Sequence, residues 1–146
     1  MTTKHIKKSK TWHVALWIVQ VLVAGMFLAV GLMKTLTPLS ELSKTMPLAS
    51  EMPGLLRFIG ISEIAGGLGL LLPAALRIRP QLTVLAAAAL TLVMVLAVLY
   101  HVSRGEFSAI GPGAVLGILS ALIAWGRSYK APITARSASA HSIVKT

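Results

Sequence analysis

The sequence predicts an all-α protein, a four-helix transmembrane bundle with both termini on the cytoplasmic side, and three observations predict it. Hydrophobic residues make up 55% of the 146 and charged residues only 12%, whereas roughly a quarter of a soluble domain is charged. Residues 11–33, 81–103 and 107–126 each run without a Lys, Arg, Asp or Glu. Each is long enough to cross a hydrocarbon core that takes about 20 helical residues. Finally, the basic residues are unevenly shared between the two sides that alternating spans would create, and the richer side is the cytoplasmic one.

Residues 1–11 form a basic tail carrying Lys4, Lys7, Lys8 and Lys10. It resembles the start of a signal peptide, but the apolar run behind it exceeds the 7 to 15 or so residues of such a peptide's core, and no small-residue cleavage site closes it. The run is therefore expected to stay as a first span over 12–33. Residues 34–53 contain Pro38, Pro47 and Pro53 with several Ser and two Glu, which predicts a loop outside the membrane core with a short helix lying on its surface. The second span, 55–76, is interrupted by Arg57 and Glu63. A tight link holding Arg77, Arg79 and Pro80 leads to the third span, 82–100, whose Ala86 to Ala89 run gives it a slim waist. After a polar link with His101, Arg104 and Glu106, the fourth span covers 109–126. These spans make one domain, 12–126, and the Ser- and Ala-rich tail 127–146 is expected to be disordered for want of apolar surface.

The N-terminal tail, the link at Arg77 and Arg79, and the tail with Arg127, Lys130, Arg136 and Lys145 fall on one side and hold ten of the fourteen Lys and Arg. Lys34, Lys44, Arg57 and Arg104 fall on the other, together with all four acids, Glu41, Glu51, Glu63 and Glu106. Basic residues that flank apolar spans in this way are the mark of membrane topology rather than of a nucleic-acid surface, so no nucleic-acid partner is expected. Trp12 and Trp125 are placed to anchor helix ends at the inner interface.

Helices in lipid associate through close packing at small residues. The expected contact faces are Gly25 and Ala29 on the first helix, Gly60, Gly67 and Ala74 on the second, and Gly113, Gly117 and Ala121 on the fourth. Gly60, Glu63 and Gly67 are spaced i, i+3 and i+7 and so share a face, which turns the carboxylate into the packed seam. Glu63 then lies about 12 Å along the helix from its outer end.

A carboxylate at that depth costs roughly 2.5 to 3.5 kcal/mol on insertion scales and ordinarily faces a partner or a cavity. Two roles fit it: a proton-linked group or ligand anchor, and a structural acid bonded to a neighbouring helix. Lys34 and His101, both at outer helix ends, are its candidate partners by depth and side, while Arg57 is too far round the same helix and is expected to anchor it at the interface. Gln20, Ser62, Thr83, Thr91 and Ser120 are expected to bond between helices or to local backbone. Cysteine is absent, which removes disulfides, thiolate metal sites and dithiol relays from this chain. His13 and His101 belong to opposite faces and cannot share a haem iron within one chain, His5 and His141 are in the tails, and no span repeats metal-ligand spacing. No metal site or self-contained catalytic motif is expected.

The segment FIGISEIAGGLGLLLP at 58–73, the alanine-rich third helix ending in Tyr100 and His101, and the GLMK of 31–34 resemble the DoxX-like family of small bacterial membrane proteins. The likeness covers about residues 16–126. It implies a four-helix bundle in the bacterial cytoplasmic (inner) membrane, tied in some relatives to quinone-linked or thiol-stress oxidoreductase systems, and it marks Lys34, Glu63, Gly67 and Pro73 as motif positions. Two function classes follow: an accessory or quinone-interacting subunit of a membrane redox system, or a small-molecule or proton pathway built around Glu63. The implied partners are the lipid bilayer, a cofactor-bearing redox enzyme and a quinone. No cofactor is expected to be held by this chain alone, and assembly into a homo-oligomer is left open. The charge asymmetry makes one prediction by itself: topology reporters fused after Thr146 and inserted in the 34–53 loop report opposite sides of the membrane, with the first in the cytoplasm. A C-terminal reporter active only outside the cytoplasm contradicts it.

Overall fold

The computed structural model describes residues 3–136, with side chains from Lys10 onward. It contains α1 (Thr3–Leu36), the one-turn helices α2 (Leu39–Leu42) and α3 (Leu48–Glu51), then α4 (Pro53–Leu76), α5 (Gln81–Ser103) and α6 (Ile110–Trp125). A 3-10 turn at Phe107–Ala109 precedes α6, a π-helical turn at Gly126–Lys130 follows it, and no strand occurs among the described residues. The first helix runs back through the basic segment to Thr3, nine residues before the expected span at 12, because nothing in that segment breaks a helix. Of the final tail expected to be disordered, 127–146, the half from 137 onward, with His141 and Lys145, lies outside the described residues.

Four stretches are long and apolar enough to cross a membrane: 10–36, 53–76, 81–103 and 107–130. Their outer surfaces expose large apolar side chains in rows, such as Val14, Ile18, Leu22 and Met26 on α1 and Leu85, Leu92, Leu96 and Leu99 on α5. Apolar surface on that scale has lipid as its solvent. The long helices form a closed ring, in which α1 packs most extensively on α4, α4 on α5, α5 on α6, and α6 more lightly on α1. Trp12 and Trp125 meet edge to face at 6.0 Å, so the two ends of the described chain share one end of the bundle. At the other end, Leu42 of α2 and Ala49 of α3 bury against Leu56 of α4 and fold the outer loop over the bundle.

The buried positions follow helical spacing. On α4 they are Leu56, Gly60, Glu63, Gly67, Leu70 and Ala74, and on α5 Thr83, Ala87, Leu90 and Met94. Both are the alternating four- and three-residue steps of a heptad seam, which drifts only about 20° per seven residues. The α6 pattern departs from the expected stripe. Gly117 is buried and Gly113 half-buried, but Ala121 is exposed, because two steps of four residues rotate about 80° around a helix of 3.6 residues per turn. Ser120 and Ile123 take the inward positions instead. Gly25 and Ala29 are also exposed: α1 turns Leu16, Gln20, Val23, Ala24, Phe27 and Gly31 inward, and these two fall on the lipid side of that face.

The closest backbone approach joins α1 to α4. A Cβ on Gly31 would stand 2.7 Å from the Gly60 carbonyl oxygen, and one on Gly60 would stand 2.9 Å from Lys34 Cβ and 3.0 Å from the Gly31 carbonyl oxygen. Neither backbone oxygen can move aside cheaply. Gly60→Ala should therefore lower detergent thermal stability, by about 1 to 3 kcal/mol for an overpacked contact. Gly25→Ala, where an added Cβ meets nothing within 4 Å, should cause no loss. Equal effects in thermal melts would contradict this assignment of the α1–α4 contact.

Candidate functional site

The glycine contact at Gly31 and Gly60 sets the distance at which Lys34 and Glu63 can meet. Lys34 is three residues after Gly31 on α1, and Glu63 is three residues after Gly60 on α4, so each charged residue lies on the same helix face as its glycine. The two helices run antiparallel, and helical side chains lean toward their own N-terminus. Lys34, near the outer end of α1, therefore leans inward along the bundle, while Glu63 leans outward, and the two converge. Lys34 Nζ donates to Glu63 Oε1 at 2.6 Å. The side chain of Glu63 is 1% exposed and that of Lys34 is 15% exposed, so the carboxylate is enclosed and the lysine side chain is only partly covered. Glu63 Oε2 is buried and has no hydrogen-bond partner among the described residues.

Two neighbours fix the rim of this site. Arg57, one turn before Gly60, donates from Nη1 to the Lys34 carbonyl and from Nη2 to the Thr37 carbonyl at 2.8 Å. It thus satisfies carbonyls that the C-terminus of α1 would leave open and places a cation at the negative end of that helix. Thr35 donates to the Gly31 carbonyl at 2.7 Å. Arg57 therefore serves α1 as a C-terminal cap across the helix contact.

His101 lies elsewhere. Its Nδ1 is 2.8 Å from Glu106 Oε2, and Glu106 Oε1 accepts from Arg104 Nε at 2.9 Å. Arg104 also pairs with Glu51 of α3 at 2.8 Å and lies over the Tyr100 ring at 5.5 Å from its centroid. This cluster ties the outer loop to the end of α5. The hydrogen bonds from Arg104 first, and then from His101, hold the Glu106 carboxyl below the usual carboxylate range. Of the two expected partners of Glu63, Lys34 is brought to it and His101 is not, because the five-residue turn 101–106 provides His101 with a nearer acid.

A second polar cluster closes the inner end. Gln20 donates to the Leu70 carbonyl, next to the Gly69 carbonyl that Pro73, lacking an N–H, leaves without its helical donor. Gln20 Oε1 accepts from Arg127 Nε at 2.9 Å, and Trp17 Nε1 donates to His13 Nε2 at 3.1 Å. Arg127 is buried, although its position in the sequence suggested a solvated tail. The signal for it was available: Ser120, Ile123 and Arg127 continue one face of α6 at steps of three and four residues. Between the two polar ends sits an apolar layer of Val23, Ala24, Phe27, Leu70, Ala87, Leu90, Met94 and Ile123. No group of three or more His, Cys, Asp or Glu side chains placed to hold a metal occurs among the described residues.

An integral multi-pass membrane protein is thus defined, a four-helix bundle whose most enclosed carboxylate is paired to a lysine across the first helix contact. Residues 18–123 match the DoxX-like family, and the chain belongs to it. No curated protein and no solved structure matches the chain. The matched span contains the α1–α4 glycine contact and the Lys34–Glu63 pair.

Proposed function

We propose that the protein is an accessory, quinone-interacting subunit of a redox system in the bacterial cytoplasmic membrane, with both termini in the cytoplasm. The observation that supports this reading is the Lys34–Glu63 pair, in which the carboxylate has a buried oxygen without a partner among the described residues and the lysine side chain is partly exposed. A quinone headgroup presents carbonyl acceptors and, when reduced, hydroxyl donors. Lys34, with three donor protons and one engaged by Glu63, can donate to such a carbonyl, and Glu63 Oε2 can accept from such a hydroxyl. The residues present therefore fit the group. A bound quinone would supply paired electron and proton chemistry, while the chain's part would be to orient the headgroup and to hold or release a proton at Glu63. With no cysteine in the chain, the electrons would come from a cofactor-bearing partner.

Orientation in this reading follows the ten basic residues that flank the inner ends of the spans. The alternative, a proton or small-molecule pathway around Glu63, has the buried hydroxyls of Thr83 and Ser120 in its favour. The apolar layer between the polar ends supports a site opening at one end over a continuous path.

Glu63→Gln separates the functional role from the structural one, since glutamine keeps the shape and hydrogen bonding but cannot ionise, and Lys34 can extend toward the outer surface. The variant should fold as well as the wild type, co-purify with the same partner in mild detergent, and lose most of the quinone-linked activity of that complex. Full activity in a well-folded Glu63→Gln protein leaves only the structural role. Substrate flux in proteoliposomes of the pure wild-type chain would favour the pathway instead.

A further inference from the structure

At the inner end of the bundle, a permanent positive charge is buried without a counter-charge among the described residues. Arg127 is 3% exposed. Its Nε donates to Gln20 Oε1 at 2.9 Å, its Nη1 lies 3.3 Å from His13 Nδ1 and 3.4 Å from the Ala131 carbonyl, and its guanidinium sits 5.3 Å from the centroid of the Trp17 ring. None of these groups is an anion. Nη2 is buried with no hydrogen-bond partner among the described residues. A guanidinium keeps its proton in proteins, so neutralisation cannot relieve the burial, and an enclosed ion without an opposite charge is costly.

The chain has no acidic side chain to offer there. Glu41 pairs with Lys44 on the outer loop, Glu51 and Glu106 pair with Arg104, and Glu63 pairs with Lys34. These are all four of its acids, and all belong to the opposite end. The charged side chains described around the inner end, Lys10, Arg77, Arg79, Lys130 and Arg136, are basic and exposed. His13 is half-buried. Trp12 and Trp125 mark the level as that of the headgroups.

We infer that Arg127, with Gln20 holding its guanidinium, is the anchor of a phosphate-binding site at the inner surface of the membrane. A phosphate oxygen matches the geometry and charge of a free guanidinium edge, and basic pockets between membrane helices at the cytoplasmic side favour acidic headgroups. The phosphate could be carried by an acidic phospholipid or by a soluble solute. The site is independent of the quinone reading, since it lies across the apolar layer from Lys34 and Glu63.

The test uses the full chain in mild detergent, stripped of lipid, and native mass spectrometry with phosphatidylglycerol or phosphatidylcholine added. The wild type should retain one phosphatidylglycerol per chain in preference to phosphatidylcholine. Arg127→Gln should cut that retention about tenfold or more, the scale of lost charge-assisted hydrogen bonds, while Lys130→Ala should leave it nearly unchanged. Inorganic phosphate, compared with chloride at equal ionic strength, separates the sources. An Arg127-dependent rise in Tm with phosphate alone assigns a soluble ligand, and a response to phosphatidylglycerol alone assigns a lipid headgroup. Trp17 emission, in a chain with Trp12 and Trp125 replaced by Phe, follows the same titrations without altering Arg127 and decides the case if Arg127→Gln does not fold. A saturable change with one of the two phosphate sources and not with phosphatidylcholine or chloride supports the site. Equal retention by wild type and Arg127→Gln, or no Trp17 response to either phosphate source, overturns it.

Discussion

An enclosed carboxylate in a membrane span needs a partner, and α1 and α4 are arranged around meeting that need. Lys34 supplies the charge, but its reach is set by the backbones, which approach at Gly31 and Gly60 with no room for a Cβ on either. The seam and the ion pair therefore depend on each other. Glycine brings the helices close enough for the pair to form, and the pair compensates the acid that the seam encloses. Arg57 adds the third part by capping the end of α1 from α4, so the contact is fixed at its outer end as well as along its length. In lipid, where apolar burial between helices gains little, packing and polar contacts of this kind carry the association.

The two ends of the bundle solve different electrostatic problems. The outer end holds every acid of the chain, and each has a basic partner: Glu41 with Lys44, Glu51 and Glu106 with Arg104, Glu63 with Lys34. The inner end holds an excess of positive charge and no acidic side chain, and its enclosed member, Arg127, has no anionic partner among the described residues. An outer end that is internally neutralised can present a small polar site such as Lys34 with Glu63. The apolar layer at Phe27, Leu70 and Leu90 keeps the two ends apart.

Span number and the inward turn of Glu63 were legible because they depend on hydropathy and on helical spacing, both of which are local. The likeness of the 58–73 segment and of GLMK was legible for the same reason, and the family match spans it. What the sequence did not expose depends on the relative rotation of helices. Gly25, Ala29 and Ala121 looked like contact residues but face outward, since small size alone does not say which face a helix turns to its neighbour. Lys34 and His101 were equivalent by depth, and only the leaning directions of antiparallel helices and the short turn to Glu106 separate them. Arg127 was hidden by its position just past the last apolar residue, where the helical turn continues as a π-helix and carries a charge inward.

The coupling between Lys34 and Glu63 is the most direct measure of this account, and a double-mutant cycle of detergent stability reads it. Lys34→Met alone leaves the Glu63 carboxyl enclosed without its cation and should cost about 3 to 5 kcal/mol, the usual penalty for breaking a buried pair from one side. Lys34→Met combined with Glu63→Gln removes the enclosed charge as well and should recover most of that loss. A double variant whose destabilisation equals the sum of the two single ones would show that the residues do not act as a pair, and would contradict the account.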